Sequence, residues 1–209
     1  MTAMSPVGGS DARGPTKLQQ DLAALKKRTR PTPVDALRQA KRNFLRQQRI
    51  DMSVLAEQLE ISRVTLYRWV GSRDQLLVEV TWSLTEFTIG ELNREVRETG
   101  SERVVRIAVG FLERVLDNAG MKHWIATEGE LAMRLMTRHD TGFQPRLIEA
   151  FRQILQEETD AGRMSLPADL NEVAYVIVRI IESYTYLNLI TGQEPNIEKA
   201  EGVLRLLLR

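Results

Sequence analysis

Apolar residues recur along most of the chain at intervals of three and four, the spacing that lines one face of an α-helix. No stretch alternates with period two between turn signals, so the pattern predicts an all-α fold. Leu18, Leu22 and Leu25 mark a short first helix behind a Gly-, Ser- and Pro-rich start (1–16) that is expected to be disordered. After Pro31 and Pro33 a helix begins near Val34, with Val34, Leu37, Ala40, Phe44 and Leu45 on its apolar face. Ser53 is placed to cap a short helix that turns Val54, Leu55, Ala56 and Leu59 inward, and another short helix spans Ser62 to Trp69. Gly71 stops it, and Ser72-Arg73-Asp74-Gln75 reads as a capping box for a long helix reaching about Arg97.

Five more helices follow in the pattern. Ser101 is placed to cap one that runs to about Asn118, and Gly120 is expected to break the chain before a helix from Lys122 to Arg138. Pro145 opens the next, which Gly162 terminates; a strongly apolar helix extends to Ile190, and Asn196 caps the last. The expected organisation is a basic extension with a short helix (1–30), a three-helix unit (31–78) and a larger helical unit (79–209), with the long helix joining the last two.

Composition narrows the chemistry. The 209 residues include no cysteine and two histidines, His123 and His139, which excludes disulfides, thiolate metal sites and His-rich metal sites. No signal-peptide pattern opens the chain, and no apolar run approaches the roughly 20 residues that cross a bilayer; a cytoplasmic protein without a cofactor is expected. The formal charge of +1 conceals a division, with residues 1–82 at +6 and residues 83–209 at −5. Between 26 and 49, nine Lys or Arg residues face one acid, Asp35. That asymmetry fits a polyanion partner for the first third, and equally a solvated basic face. Catalytic motifs of the GxSxG, phosphate-loop and HExxH types are absent, and His123 with Glu128 or Glu130 has no motif-grade spacing, so no enzymatic activity is expected.

The stretch SVLAEQLEISRVTLYRW (53–69) has what a DNA-reading helix pair requires. Ala56 is small enough for a close helix crossing, Leu55, Leu59, Ile61 and Leu66 can lock the pair, and Ser62 can cap the second helix. Arg63, Thr65, Tyr67 and Arg68 furnish a polar outer face. Residues 34–82, with LAEQLEISRVTLYRWVGSRDQLL at their centre, resemble the TetR family of bacterial transcriptional regulators. The whole chain resembles its QsdR type, actinobacterial regulators linked to breakdown of quorum-sensing lactones. Two departures stand out: Glu60 occupies a turn position where the family commonly has glycine, and Trp69-Val70 replaces the usual His-Phe.

The resemblance implies a homodimer on a palindromic double-stranded DNA operator. By position, Arg63, Val64, Thr65 and Arg68 would face the major groove, and Ser62 would cap the reading helix. Ser53, Tyr67 and Arg73 would hold phosphates, and Arg28 and Arg30 would reach a minor groove or the backbone. Core packing is the competing reading for Tyr67 and Trp69. The family also implies an effector pocket in the second half. Trp124, Glu128, Met133 and Met136 on one predicted helix, with Phe87, Phe111, Tyr184 and Asn188, are candidate walls for a small apolar effector such as a γ-lactone or fatty-acyl compound; ordinary core packing accounts for the same pattern. The helix of Val173 to Ile190, apolar nearly all round, would join the last helix in a four-helix subunit interface, where Arg179 and Glu182 pair locally or across it. A helical protein-interaction module that uses the basic patch on acidic partners is the alternative from another class.

Overall fold

The computed structural model describes residues 15–18, 30–166 and 168–209. The chain divides into two compact units, 1–32 and 33–209. In the first, Lys17 and Leu18 are helical and Arg30 is exposed; the helix expected through Leu22 and Leu25, and the placement of Arg28, lie outside the described residues.

The second unit holds ten α-helices and, among its described residues, no strand, as the all-α reading requires. None is long and apolar enough to cross a membrane. Helix α1 (Pro33–Leu45) starts on a proline, which has no amide hydrogen to lose in the first turn. Its buried face is Ala36, Ala40 and Phe44, with Asn43 beside them. The expected face is therefore rotated: Val34 and Leu45 are solvent-exposed, because two alanines allow the closer approach to neighbouring helices. Asn43 Nδ2 donates to Gln58 Oε1 at 2.9 Å, tying α1 to α2 (Met52–Gln58).

Asp51, not Ser53, caps α2: its carboxylate accepts from the Ser53 and Val54 amides at 2.7 and 3.1 Å. Asp51 precedes the buried Met52, so the helix begins two residues earlier than the serine suggested. At the far end Ile61 N donates to Ala56 O and Glu60 N to Glu57 O, the bond pattern of a left-handed helix stop. Glu60 takes the left-handed position at φ 56°. Helix α3 (Arg63–Val70) has Ser62 as its cap, with Ser62 Oγ accepting from Thr65 N at 3.1 Å. It is seated by Leu66, which has no exposed surface. Gly71 ends it at φ 71°, ψ −123°, a conformation suited to glycine alone.

The expected capping box is formed: Gln75 N donates to Ser72 Oγ at 3.1 Å and Ser72 N to Gln75 Oε1 at 2.7 Å. It opens α4 (Arg73–Glu95), about 35 Å long at 1.5 Å per residue. α4 packs on α1 and α3 near its start and on α5 (Gly100–Asp117) and α6 (Ala119–Thr137) elsewhere, so one rigid element belongs to both halves of the unit.

Thr99, rather than Ser101, precedes α5. Gly120 does not break the chain; Asn118 does, by leaving helical geometry and capping α6 with its side chain. Gly120 sits inside α6 where a Cβ would lie 2.6 Å from the Phe44 carbonyl oxygen, so glycine permits the contact with α1. α6 is kinked at Glu128 (φ −140°, ψ 43°). After a 3-10 turn (His139–Thr141), α7 (Phe143–Asp160) starts two residues ahead of Pro145, which falls in its first turn. The expected apolar helix to Ile190 is two, α8 (Leu170–Thr185) and α9 (Leu187–Thr191), separated at the buried Tyr186. α10 (Ile197–Leu207) follows, capped by Asn196 as expected.

α7 and α8 pack along their lengths, and α5 covers them, so Leu112, Phe151, Leu155 and Ile177 form the centre of the larger core. Phe111 and Phe151 meet edge to face at 6.3 Å. Glu158 is fully enclosed there: it accepts from Arg163 Nε at 2.6 Å, Arg103 Nη1 at 3.2 Å and Gly100 N at 2.7 Å. The Arg163 guanidinium, against the cost of burial, holds its carboxyl down to about 2.

Candidate nucleic-acid interface and effector cavity

The three caps and the buried Leu66 fix α3 so that its outer row faces solvent. Arg63, Val64, Tyr67 and Arg68 are exposed, Val64 by 76%. An isolated valine so open on a seated helix contributes nothing to the fold's interior, and it lies between two arginines that form no ion pair with another described residue. Thr65 is half-buried, its hydroxyl 2.9 Å from that of Ser62. Trp69 packs against the core from a half-buried position, and Tyr67, at 42% exposure, does not. Much of the neighbouring basic charge is engaged: Arg38 pairs with Asp35 at 3.0 Å, and Lys41 Nζ donates to Ser83 Oγ at 3.1 Å.

Ser53, half-buried in the first turn of α2, gives its amide to Asp51. Arg73 has partners other than solvent. Its Nε donates to Ile50 O at 2.7 Å and its Nη2 to Glu128 Oε2 at 2.5 Å, while Arg49 Nε reaches Glu128 Oε1 at 3.0 Å. Burial pushes the Glu128 carboxyl up, and the two guanidiniums outweigh it and hold the group below its ordinary value. Glu128 thus joins the kink of α6 to the start of α4 and to the loop before α2. Trp124, one turn earlier on α6, packs edge to face on Phe44 of α1 at 5.8 Å. Its indole N–H is buried without an acceptor among the described residues.

A partly open cavity of about 60 Å³ lies between α4, α5, α6, α7 and α8. Its walls are Leu84, Phe111, Val115, Met121, Met136, Phe143, Leu147 and Ile181, with Thr81, Thr85, Thr88, Arg114, Asn118, Glu182, Thr185 and Tyr186 as the polar or mixed members. Of the candidate walls read from sequence, the structure brings Phe111 and Met136 here. Trp124 and Glu128 lie at the junction with α1 and α2, and Met133 and Tyr184 pack partly buried against the core. Phe87 is 60% exposed on α4, and Asn188 Nδ2 donates to Glu194 Oε1 at 2.8 Å beside an outer groove. From sequence, Thr81, Thr85 and Thr88 are not singled out, and Glu182 is given a pairing with Arg179, local or across a subunit interface, rather than a place in the cavity wall. Thr81, Thr85 and Thr88 repeat at helical spacing along α4, and Glu182 interrupts the most apolar helix of the chain.

Glu182 is 6% exposed. Burial raises its carboxyl above the usual range, opposed by the hydrogen bond from Gln144 and the charge of Arg179. Arg179 Nη1 stands 2.5 Å from Oε2, the local i, i+3 pairing. Arg114, also on the cavity wall, is drawn outward into an ion pair with Glu95. On the other side of the unit, Tyr175 of α8 and Val203 and Leu206 of α10 are apolar and exposed.

Residues 99–209 match the family described as tetracyclin repressor-like, C-terminal domain. Among solved structures, the chain is similar to the transcriptional repressor QsdR of R. erythropolis, from the TetR family: 28% identity, TM-score 0.78, covering 84% of this chain and 93% of that one. It shares its fold with the TetR family repressor AlkX of Dietzia sp. strain DQ12-45-1b, implicated in biodegradation of n-alkanes, at 21% identity and TM-score 0.54 over 87% of this chain and all of that one. It also does so with a TetR-family regulator from Rhodococcus sp. at 15% identity and TM-score 0.51, over 85% of this chain and 99% of that one. No curated protein matches the chain. With the matched family covering more than half of its length, and a capped helix-turn-helix ahead of it, the chain belongs to the TetR family of transcriptional regulators.

Proposed function

We propose that the protein is a homodimeric repressor that binds a palindromic operator through α3 and leaves it when a small apolar effector, of the γ-lactone or acyl-chain kind, enters the cavity. The row Arg63, Val64, Tyr67 and Arg68 carries this reading, because two arginines without an ion pair to another described residue and an exposed valine suit guanine edges and a thymine methyl. Arg68 reads bases, and Tyr67 and Ser53 sit where a helix pair meets phosphates. Arg73 is better suited to holding α4 against the loop before α2 than to a phosphate, since both of its contacts are internal.

The effector step has a physical requirement. A cavity of about 60 Å³ holds roughly two water molecules, and a drug-sized pocket is several times larger. An effector therefore has to push α4 and its neighbours apart. α4 carries that displacement to Arg73, and through Ile50 and Glu128 to the reading helices, changing the separation of two heads in a dimer. Tyr175, Val203 and Leu206 form the apolar face through which two copies would pair.

Gel-shift titration against the gene's own upstream DNA, beside random DNA of equal length, tests the reading. The expected outcome is salt-dependent binding that prefers the upstream fragment and weakens about tenfold or more in Arg68→Ala. Normal operator binding by a folded Arg68→Ala protein would show that α3 is misassigned. Equal retention of both DNAs would favour a basic interaction module.

A further inference from the structure

The cavity's polar groups are not equally available. Thr81 and Thr185 spend their hydroxyls on carbonyls of their own helices, each at 2.8 Å. Asn118 caps α6, and Arg114 is held by Glu95. Two groups remain. Thr85 is 6% exposed, lines the cavity, and its hydroxyl bonds to no other described residue. Glu182, as deeply buried, accepts from Arg179 Nη1 at 2.5 Å and from Gln144 Nε2 at 3.4 Å on Oε2, and on Oε1 from that same Gln144 group alone at 3.0 Å. A carboxylate has about four acceptor sites, so Oε1 retains capacity within an apolar enclosure.

We infer that the cavity selects an apolar molecule that carries both an N–H or O–H donor for Glu182 and a carbonyl acceptor for Thr85. The inference rests on the effector reading above and gives that effector a chemistry. Glu182's protein partners are all donors, so its surroundings satisfy the acceptor form, and a ligand that offered only another acceptor would cover Oε1 without filling its remaining acceptor capacity. A simple lactone has acceptors alone. An amide, lactam or hydroxylated acyl chain has both. Thr85 offers its hydroxyl hydrogen to the carbonyl without giving up a bond to the protein.

The test uses the full chain and two probes of one shape, the γ-lactone and the γ-lactam of the same eight-carbon chain, in which ring oxygen becomes N–H. Calorimetric titration is expected to show the lactam binding about tenfold tighter or more, the usual value of a hydrogen bond to a charged group. The N-methylated lactam should fall to the lactone's level on the unaltered protein. Glu182→Gln, whose amide can turn to either ligand, should bring the two probes within about threefold. Thr85→Val should weaken both several-fold and leave their ratio unchanged. A lactone bound as tightly as the lactam, or neither probe bound at millimolar concentration, overturns the inference. Parallel gel shifts separate it from the effector reading. Preferred lactam binding that leaves the DNA complex intact upholds the cavity's chemistry and removes the effector role. DNA release by the lactone in preference to the lactam does the reverse.

Discussion

Glu128 and Glu182 show how differently this molecule uses a carboxylate drawn out of solvent. Glu128, where α6 meets the start of α4, is half-buried with one guanidinium on each oxygen, and its carboxyl is held below the ordinary value. Glu182, in the cavity wall, has one guanidinium and one amide, and burial leaves its carboxyl above it. The first is an attachment between segments far apart in sequence. The second is a group with capacity to spare. Countercharge and burial together separate the two: Glu128 is half-buried with a guanidinium on each oxygen, whereas Glu182 is more deeply buried with a guanidinium on one oxygen alone.

The comparison can be broken at its saturated extreme first. Glu158 has three donors and no exposure, and replacing it by Gln should cost on the order of 3 kcal/mol in urea denaturation near pH 7. A group with a depressed folded value stabilises above the unfolded carboxylate value near 4.5 and loses that contribution as pH falls toward about 2. Part of the protein's acid sensitivity should therefore vanish in Glu158→Gln. At the junction, Glu128→Gln is expected to cost about 2 kcal/mol, because Arg73 keeps its burial and loses its countercharge. The same change should reduce the operator-release response while cavity binding, measured by calorimetry, persists.

The reading head is sharpened by Glu60→Gly. With Glu60 at φ 56°, glycine relieves the strained backbone, and the domain should gain about 1 kcal/mol in the same denaturation assay. Glu182→Gln is expected to have the smallest effect, under about 1 kcal/mol near pH 7, since the amide removes a buried charge while it removes a pair. Its pH sense is opposite. A folded value raised above the unfolded one favours the native state at low pH, and that contribution fades as pH rises through the folded value. A Glu182→Gln protein as strongly destabilised as Glu128→Gln would erase the distinction between the two acids.

Legibility in the sequence follows the same division. The head is governed by contacts three or four residues long: Ser62 on Thr65, the Ser72–Gln75 box, the glycine stop at Gly71. Such signals lie side by side in the sequence, and Glu60 takes the left-handed conformation at the turn position where the family commonly has glycine. The rotated face of α1 was not, because Val34 looks as apolar as Ala36 until a neighbour's distance decides between them. The cavity depends on residues up to about 100 positions apart, and α-helical spacing marks an inward face without saying whether it meets a wall or a void. Phe111 and Met136 reach the void; Phe87 and Asn188, chosen by the same rule, do not. As cavity groups, Thr85 and Glu182 were visible only as polar interruptions of apolar faces.

The kink in α6 has a mechanical consequence. Gly120 lies eight residues before Glu128 and Met136 eight residues after it, so the helix is a lever with two arms of about 12 Å each about one fulcrum. A tilt of about 5° in one arm displaces its tip by about 1 Å. Met136 at one tip and Met121 at the other both line the cavity, and the second tip also holds Gly120, pressed against the Phe44 carbonyl with no room for a methyl group. A push of that size by a bound molecule meets a contact with no slack to absorb it.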